Sequence, residues 1–310
     1  MDGESAKAMS APALSLRHAL LAVAVTAVWG ANFVVIKVGL GQLPPLTFAA
    51  LRFAFAFVPA ALFLKRPDVP IRNLAAFGVL IGLGQFGLLY IALHGMIPPG
   101  LASLVMQSQV FITIGLSMWL TKERLRLFQW AALAVGALGL AVIFSHTDAT
   151  TTLAGLALVL VAATCWALGN TVQRATPTVN SLAYVVWSSA FSVPPLILVA
   201  LVMEGWPAMS AGVAHASAST WAVILWQSFG NSLFGYAAWG FLLARYPAAA
   251  ISPFALLIPV SGMAASALLL GEPLPPWKLL AAALIISGLA INLMGPRLKG
   301  ARRAAPAQTS

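Results

Sequence analysis

Apolar positions fall in ten long stretches that are separated by short polar gaps. The stretches cover 19–38, 46–64, 74–94, 100–120, 127–144, 153–173, 181–202, 219–244, 248–270 and 277–295. At about 1.5 Å per residue, such lengths match a hydrocarbon core about 30 Å thick. A lone segment in lipid can satisfy its amides only within itself, so each stretch is predicted to be a helix. The predicted fold class is an all-α polytopic membrane protein with ten transmembrane helices.

The basic residues occupy alternate gaps. Of 17 Lys and Arg, 14 fall before the first stretch, after the second, fourth, sixth and eighth, or beyond the tenth. Lys65, Arg66 and Arg72 form one such group, and Arg297, Lys299, Arg302 and Arg303 another. The excess of cations on the cytoplasmic side of membrane proteins predicts that both termini lie in the cytoplasm. The net charge of +10 is then topological and implies no nucleic-acid partner. Charged residues make up 8% of the chain, about a third of the usual share in a soluble domain. The first stretch has a basic flank like a secretory leader. It runs through Trp29 and Phe33 to Val38, too long for such a leader, and is expected to stay as a helix. Cys165 is the only cysteine and is read as a packing thiol.

The chain repeats itself. Segments 84–144 and 233–293 align without a gap at an offset of 149, with 12 identities in 61 positions. Pro98 matches Pro247, Ser103 matches Ser252, and Glu123 matches Glu272. Upstream, Trp29 with Asn32 resembles Trp166 with Asn170. The unit is five helices, and an odd-numbered unit inverts when duplicated. The expected organisation is a cytoplasmic tail at 1–18, a first repeat at 19–144, an inverted second repeat at 153–295, and a basic cytoplasmic tail at 296–310. Inverted repeats are a recurring design of secondary transporters, with the substrate at the bilayer midplane between the halves.

Polar residues inside the spans are costly against lipid and so face partners or water. The candidates for a substrate-binding cavity are Asn32, Gln85, Tyr90, Gln107, Trp166, Asn170, Trp187, Gln227, Asn231, Tyr236 and Trp239. Trp29 shares a helical stripe with Asn32 and Ile36. Amides can bond an ammonium or a carboxylate, and aromatic rings can contact an apolar side chain or a cation, which suits a neutral or zwitterionic solute. The alternative role for each amide is to tie two helices together, and for Trp187 and Trp239 to sit in the interfacial belt. Lys37 and Arg52 are candidate admission or gating charges. Each either helps admit or orient carboxylates or bonds carbonyls at a helix end. Lys278 reads as solvated, and Glu123 and Glu272 as favourable charges at the starts of the fifth and tenth helices. Pro194 with Pro195, and Pro253 with Pro259, are expected to kink their helices. Gly78 and Gly82 are expected to mark a close helix contact.

No Asp or Glu falls within a stretch, so no intramembrane proton carboxylate is evident. There is no phosphate-binding glycine motif, and His18, His94, His146 and His215 are scattered, so no cofactor or metal is predicted.

Several short motifs carry a family resemblance. Trp29-Gly30-Ala31-Asn32-Phe33, Pro44-Pro45 leading to Leu51-Arg52-Phe53, Gly100-Leu101-Ala102-Ser103-Leu104-Val105 after Pro98, and Gly271-Glu272 with Leu274 are similar to the EamA family of the drug/metabolite transporter superfamily. Lys122 departs from the glycine expected before Glu123. The resemblance is nearest to bacterial exporters of O-acetylserine, cysteine and other amino acids. It implies a five-plus-five inverted basket in the inner membrane, a small-molecule substrate and no enzymatic activity. The leading reading is an amino-acid exporter working by alternating access. The alternatives are efflux of other metabolites or lipophilic drugs and, remotely, a membrane-embedded transferase, for which the spans lack clustered carboxylates or a histidine base.

Overall fold

A computed structural model describes residues 14–121, 127–146, 150–176, 180–246 and 248–304. Every regular element among them is helical. The helices are α1 (Leu16–Gly39), α2 (Pro45–Ala61), α3 (Ile71–Leu93), α4 (Pro99–Leu116), α5 (Leu127–Phe144) and α6 (Leu153–Arg174). They continue with α7 (Ser181–Met203), α8 (Gly205–Ala214), α9 (Ala218–Arg245), α10 (Ser252–Leu270) and α11 (Pro276–Ala304). Eight of these are long and apolar enough to cross a membrane, and α8 with α9 makes a bent pair that could count as a ninth. Helix α2 has 17 residues and ends at Ala61, short of the 46–64 stretch, at the lower limit for a span. Side chains as apolar as Val202 (86% exposed) and Leu268 (83%) face outward, as a lipid-facing surface requires.

Local sequence sets the helix ends. The Thr152 hydroxyl accepts from Gly155 N at 3.0 Å, and the Asn180 side chain accepts from Leu182 N, also at 3.0 Å. Each satisfies an amide that has no partner within its helix. Pro45 and Pro99 occupy first-turn positions, where the missing N–H costs nothing. Gly271 stops α10 at φ 67°, a left-handed conformation that suits glycine.

Helix α2 packs along α7, α5 along α11, and α1 along α10, while α6 packs on α3 and α4. Small residues allow the close approaches. Gly30 lies against Ile258 and Ser261 of α10, and Gly78 and Gly82 lie against Ser188 and Ser192 of α7. The Ser192 hydroxyl donates to the Gly78 carbonyl at 2.8 Å, so the glycine pair is a helix contact as expected.

Four interruptions were not legible as periodicity. Helix α3 is a π-helix over Leu80–Gly87, and α9 over Trp226–Phe234. Helix α4 breaks between Val105 and Ser108, and α10 opens with a 3₁₀ turn, Ser252–Leu256. Shifted by 149 residues, the first π segment overlaps the second and the break in α4 falls on the 3₁₀ turn. Pro253 sits in that 3₁₀ turn, whereas Pro194 and Pro195 lie inside α7, which is assigned as α-helix throughout. Helix α8 has no counterpart among the ten stretches and meets α9 at 101°. Helix α11 continues to Ala304, into the segment read as a tail.

Candidate functional site

The irregular segments meet around one cavity of about 90 Å³. Helix α1 supplies Trp29, Asn32, Phe33 and Ile36, and the π segment of α3 supplies Gln85 and Phe86. Met106 and Gln107 come from the break in α4, Trp166 from α6, Asn231 from the π segment of α9, and Ile258 from just beyond the 3₁₀ turn. Arg52 and Tyr236 complete the polar wall. A π turn holds an extra residue and leaves backbone groups without their usual partners. Trp29 Nε1 donates to the Asn231 carbonyl at 3.2 Å, so the irregular turn of α9 is tied to α1.

Six of the eleven expected cavity residues line this space: Asn32, Gln85, Gln107, Trp166, Asn231 and Tyr236. Three stand behind it. The Tyr90 hydroxyl accepts from Arg52 Nη1 at 3.3 Å and donates to Gln227 Oε1 at 3.4 Å, which brings in both Tyr90 and Gln227. The Trp239 ring lies 5.4 Å from Trp29, which itself lines the wall. The other two lie elsewhere. Trp187 Nε1 donates to the Leu64 carbonyl at 2.8 Å, and its ring meets Phe57 edge-on. Asn170 is half-buried on α6 and does not line the cavity. The acceptor that Trp187 finds lies near the start of the α2–α3 connection, away from the cavity.

Besides the apolar Phe33, Ile36, Phe86, Leu89, Met106 and Ile258, Trp29 lines the cavity without having been in the candidate set. Its signal was present in the sequence, three residues before Asn32 and equivalent to Trp166.

The two candidate charges part company. Arg52 is 2% exposed, and its guanidinium lies 3.7 Å above the Phe86 ring. It belongs to the cavity wall and bonds side-chain hydroxyls, not helix-end carbonyls. Lys37 Nζ donates to the Leu93 carbonyl at 3.0 Å. It lines a separate, wider cavity of about 520 Å³ with Glu272 and Lys278.

Two acidic residues do work that their sequence positions did not announce. Glu272 Oε2 accepts from Gly100 N at 3.0 Å and from the Ser266 hydroxyl. It therefore caps α4, not the helix that follows it. Lys278 Nζ lies 2.9 Å from Glu272 Oε1, so Lys278 is a buried ion-pair partner and not a solvated charge. Glu204, after α7, accepts from Thr47 N at 3.0 Å and from Thr47 Oγ1 at 2.6 Å, and caps α2 in the same way. A carboxylate at a helix N-terminus answers both the unpaired amides and the positive end of the helix dipole. Glu123 and Lys122 lie outside the described residues.

At the basic-flanked end, His18 Nδ1 is 2.7 Å from the Tyr246 hydroxyl. Ala22, Leu242, Tyr246 and Ile251 form a small apolar cluster there.

The family model of the EamA-like transporter family matches residues 16–145 and 153–294. The chain belongs to this family. Its two matched EamA segments cover both five-stretch units of the sequence. A protein of Salmonella typhimurium named "Probable amino-acid metabolite efflux pump" is 38% identical over 296 residues, covering 94% of this chain and 99% of its own length. A protein of the same name from Escherichia coli K12 is also 38% identical, covering 93% and 98%. A "Probable terminal-alkyne amino-acid exporter" from Streptantibioticus cattleyicolor is 28% identical, covering 94% and 98%. One solved crystal structure, 19% identical, superposes with a TM-score of 0.59 over 92% of this chain and all of that one, a likeness of fold. As an EamA-like protein the chain is a multi-pass membrane transporter and not an enzyme.

Proposed function

We propose that this transporter exports amino acids, or closely related small zwitterionic metabolites, from the cytoplasm through the central cavity. The observation that carries this reading is the convergence of Asn32, Gln85, Gln107, Asn231, Trp166 and Arg52 on one cavity. Amides, an indole and a guanidinium offer donors to a carboxylate, acceptors to an ammonium and a face to a side chain. The relatives named as amino-acid efflux pumps and exporters support the same substrate class.

The architecture in this proposal is ten spans, α8 being an external helix, with both termini in the cytoplasm of an inner membrane. The two five-helix repeats are inverted and exchange access by rocking. The packing pattern supports the repeat. Exchanging equivalent helices turns the α1–α10 pair into α6–α4, while α2–α7 and α5–α11 each map onto themselves, and all four pairs are packed. The overlapping π segments and matching breaks point the same way.

The test is counterflow in proteoliposomes with a labelled panel of amino acids, other small metabolites and lipophilic amines. Exchange confined to amino acids and their close relatives is the expected result. Exchange of the lipophilic compounds alone would replace this reading with drug efflux.

A further inference from the structure

Arg52 presents an electrostatic imbalance at the wall of the cavity. Its side chain is buried on α2, and its partners are neutral: the Tyr90 hydroxyl at 3.3 Å, the Ser232 hydroxyl at 3.1 Å and the face of Phe86 at 3.7 Å. Its Nε has no partner. Among the described residues no acidic side chain pairs with it; Glu204 and Glu272 are occupied at helix ends and Asp68 is exposed. An unpaired cation taken from water costs several kcal/mol on the order-of-magnitude scale for buried ions, and a ring face offsets only part of this. An anion that enters the cavity removes the imbalance.

The two hydroxyls that hold the guanidinium are also free to release it. Tyr90 donates to Gln227 Oε1 at 3.4 Å, and Ser232 donates to the Gln227 carbonyl at 3.0 Å. Each keeps a partner when Arg52 turns toward a ligand. The opposite polarity is also present in the wall. Asn32 Oδ1 and Asn231 Oδ1 are buried acceptors without donors, and the Trp29 ring lies beside them.

We propose that Arg52 binds the substrate's carboxylate and is the residue that makes a free carboxylate obligatory, with Asn32 and Asn231 taking the ammonium end. A guanidinium fork matches a carboxylate with two parallel hydrogen bonds, which an ester or amide cannot accept in the same way. A decarboxylated amine can still meet Asn32 and Asn231 but leaves Arg52 without an anion. This inference refines the amino-acid reading above and rests on the same cavity.

The experiment uses the purified full-length protein in detergent and four probes: L-alanine, L-alanine amide, propionate and ethylamine. Binding is read from ligand-dependent shifts in the melting temperature and from quenching of tryptophan fluorescence. L-Alanine and propionate are expected to bind, with L-alanine at least about tenfold tighter than its amide, which is about 1.4 kcal/mol. Arg52→Gln should erase that ratio, and Arg52→Lys, which keeps the charge but not the fork, should retain part of it. Equal binding of acid and amide by the parent, or an unchanged ratio in Arg52→Gln, overturns the inference, as does failure of both carboxylates to bind. If Arg52→Gln does not fold, the parent's ratio and Arg52→Lys decide. Counterflow separates the two readings. Alanine exchange without preference for acid over amide removes the role of Arg52 and leaves the amino-acid reading. Arg52-dependent binding of propionate with no effect of alanine does the reverse.

Discussion

The Lys278 ammonium sits 2.9 Å from the Glu272 carboxylate, and both side chains are under one-tenth exposed. The same carboxylate takes the Gly100 amide and the Ser266 hydroxyl, so one side chain joins α4, α10 and α11. Removing one partner of a buried pair strands the other. Glu272→Ala is expected to cost about 3 kcal/mol of stability, because it leaves the lysine unpaired and α4 uncapped. Lys278→Met should cost clearly less, since Glu272 keeps its two neutral donors. Thermal melts in detergent that rank the two variants the other way would contradict this account.

In the central cavity, Asn32→Ala and Trp166→Ala should each lower counterflow about tenfold with normal membrane insertion, the scale of one hydrogen bond to a charged group. Trp239→Ala acts through Trp29 and should do less. Trp187→Phe should leave transport unchanged and cost about 1 kcal/mol of stability, because it loses only the bond to Leu64. Loss of transport in Trp187→Phe, with Asn32→Ala and Trp166→Ala like the parent, would mean that the wrong cavity has been chosen.

Close helix contact makes its own prediction. A methyl group on Gly30 would lie 2.5 Å from the Ile258 carbonyl and 2.6 Å from Ser261 Cβ. Gly30→Ala should force α1 from α10 and cost about 1–3 kcal/mol, the usual scale of overpacking. Gly240→Ala, with nothing within 4 Å of the added carbon, is the neutral control. Equal melting temperatures for the two would show that α1 and α10 are not held at this distance.

Orientation is testable with single cysteines in a Cys165→Ala background. A cysteine at Lys65, in a basic gap, should react with impermeant thiol reagents only from the cytoplasmic side, and one at Ser145 only from outside. Both positions are exposed. Labelling of the Lys65 variant in intact cells would reverse the proposed topology.

Coupling follows from the groups around the cavity. Among the described residues, no Asp or Glu lines it. Downhill amino-acid exchange is therefore expected to persist when ionophores collapse the pH gradient and potential of proteoliposomes. An absolute requirement for an imposed proton gradient would turn attention to Glu123, Glu272 and His94.

Much of this protein was legible before any fold was known, because lipid imposes its demands locally. A stretch such as 153–173 must satisfy its own amides, so its length and apolarity alone announce helix α6. The charges at Lys65 and Arg66 needed no partner to suggest a side of the membrane. The duplication showed in Pro98 with Pro247 and in Glu123 with Glu272. The interior polar residues named a set from which the cavity was drawn. Which members meet was decided by tertiary structure, because convergence depends on how helices are broken and turned. The π segments that carry Gln85 and Asn231 follow no 3.6-residue period, so the sequence pattern could not aim them. Trp187 and Trp166 look alike in sequence, but one finds the Leu64 carbonyl and the other the cavity. Glu272 carries no local mark of capping α4, since the Gly100 amide reaches it only after α4 has packed on α10. Arg52 is the clearest case. Its cost in a membrane was visible in the sequence, but only the packed structure shows neutral partners around a cation that remains unpaired.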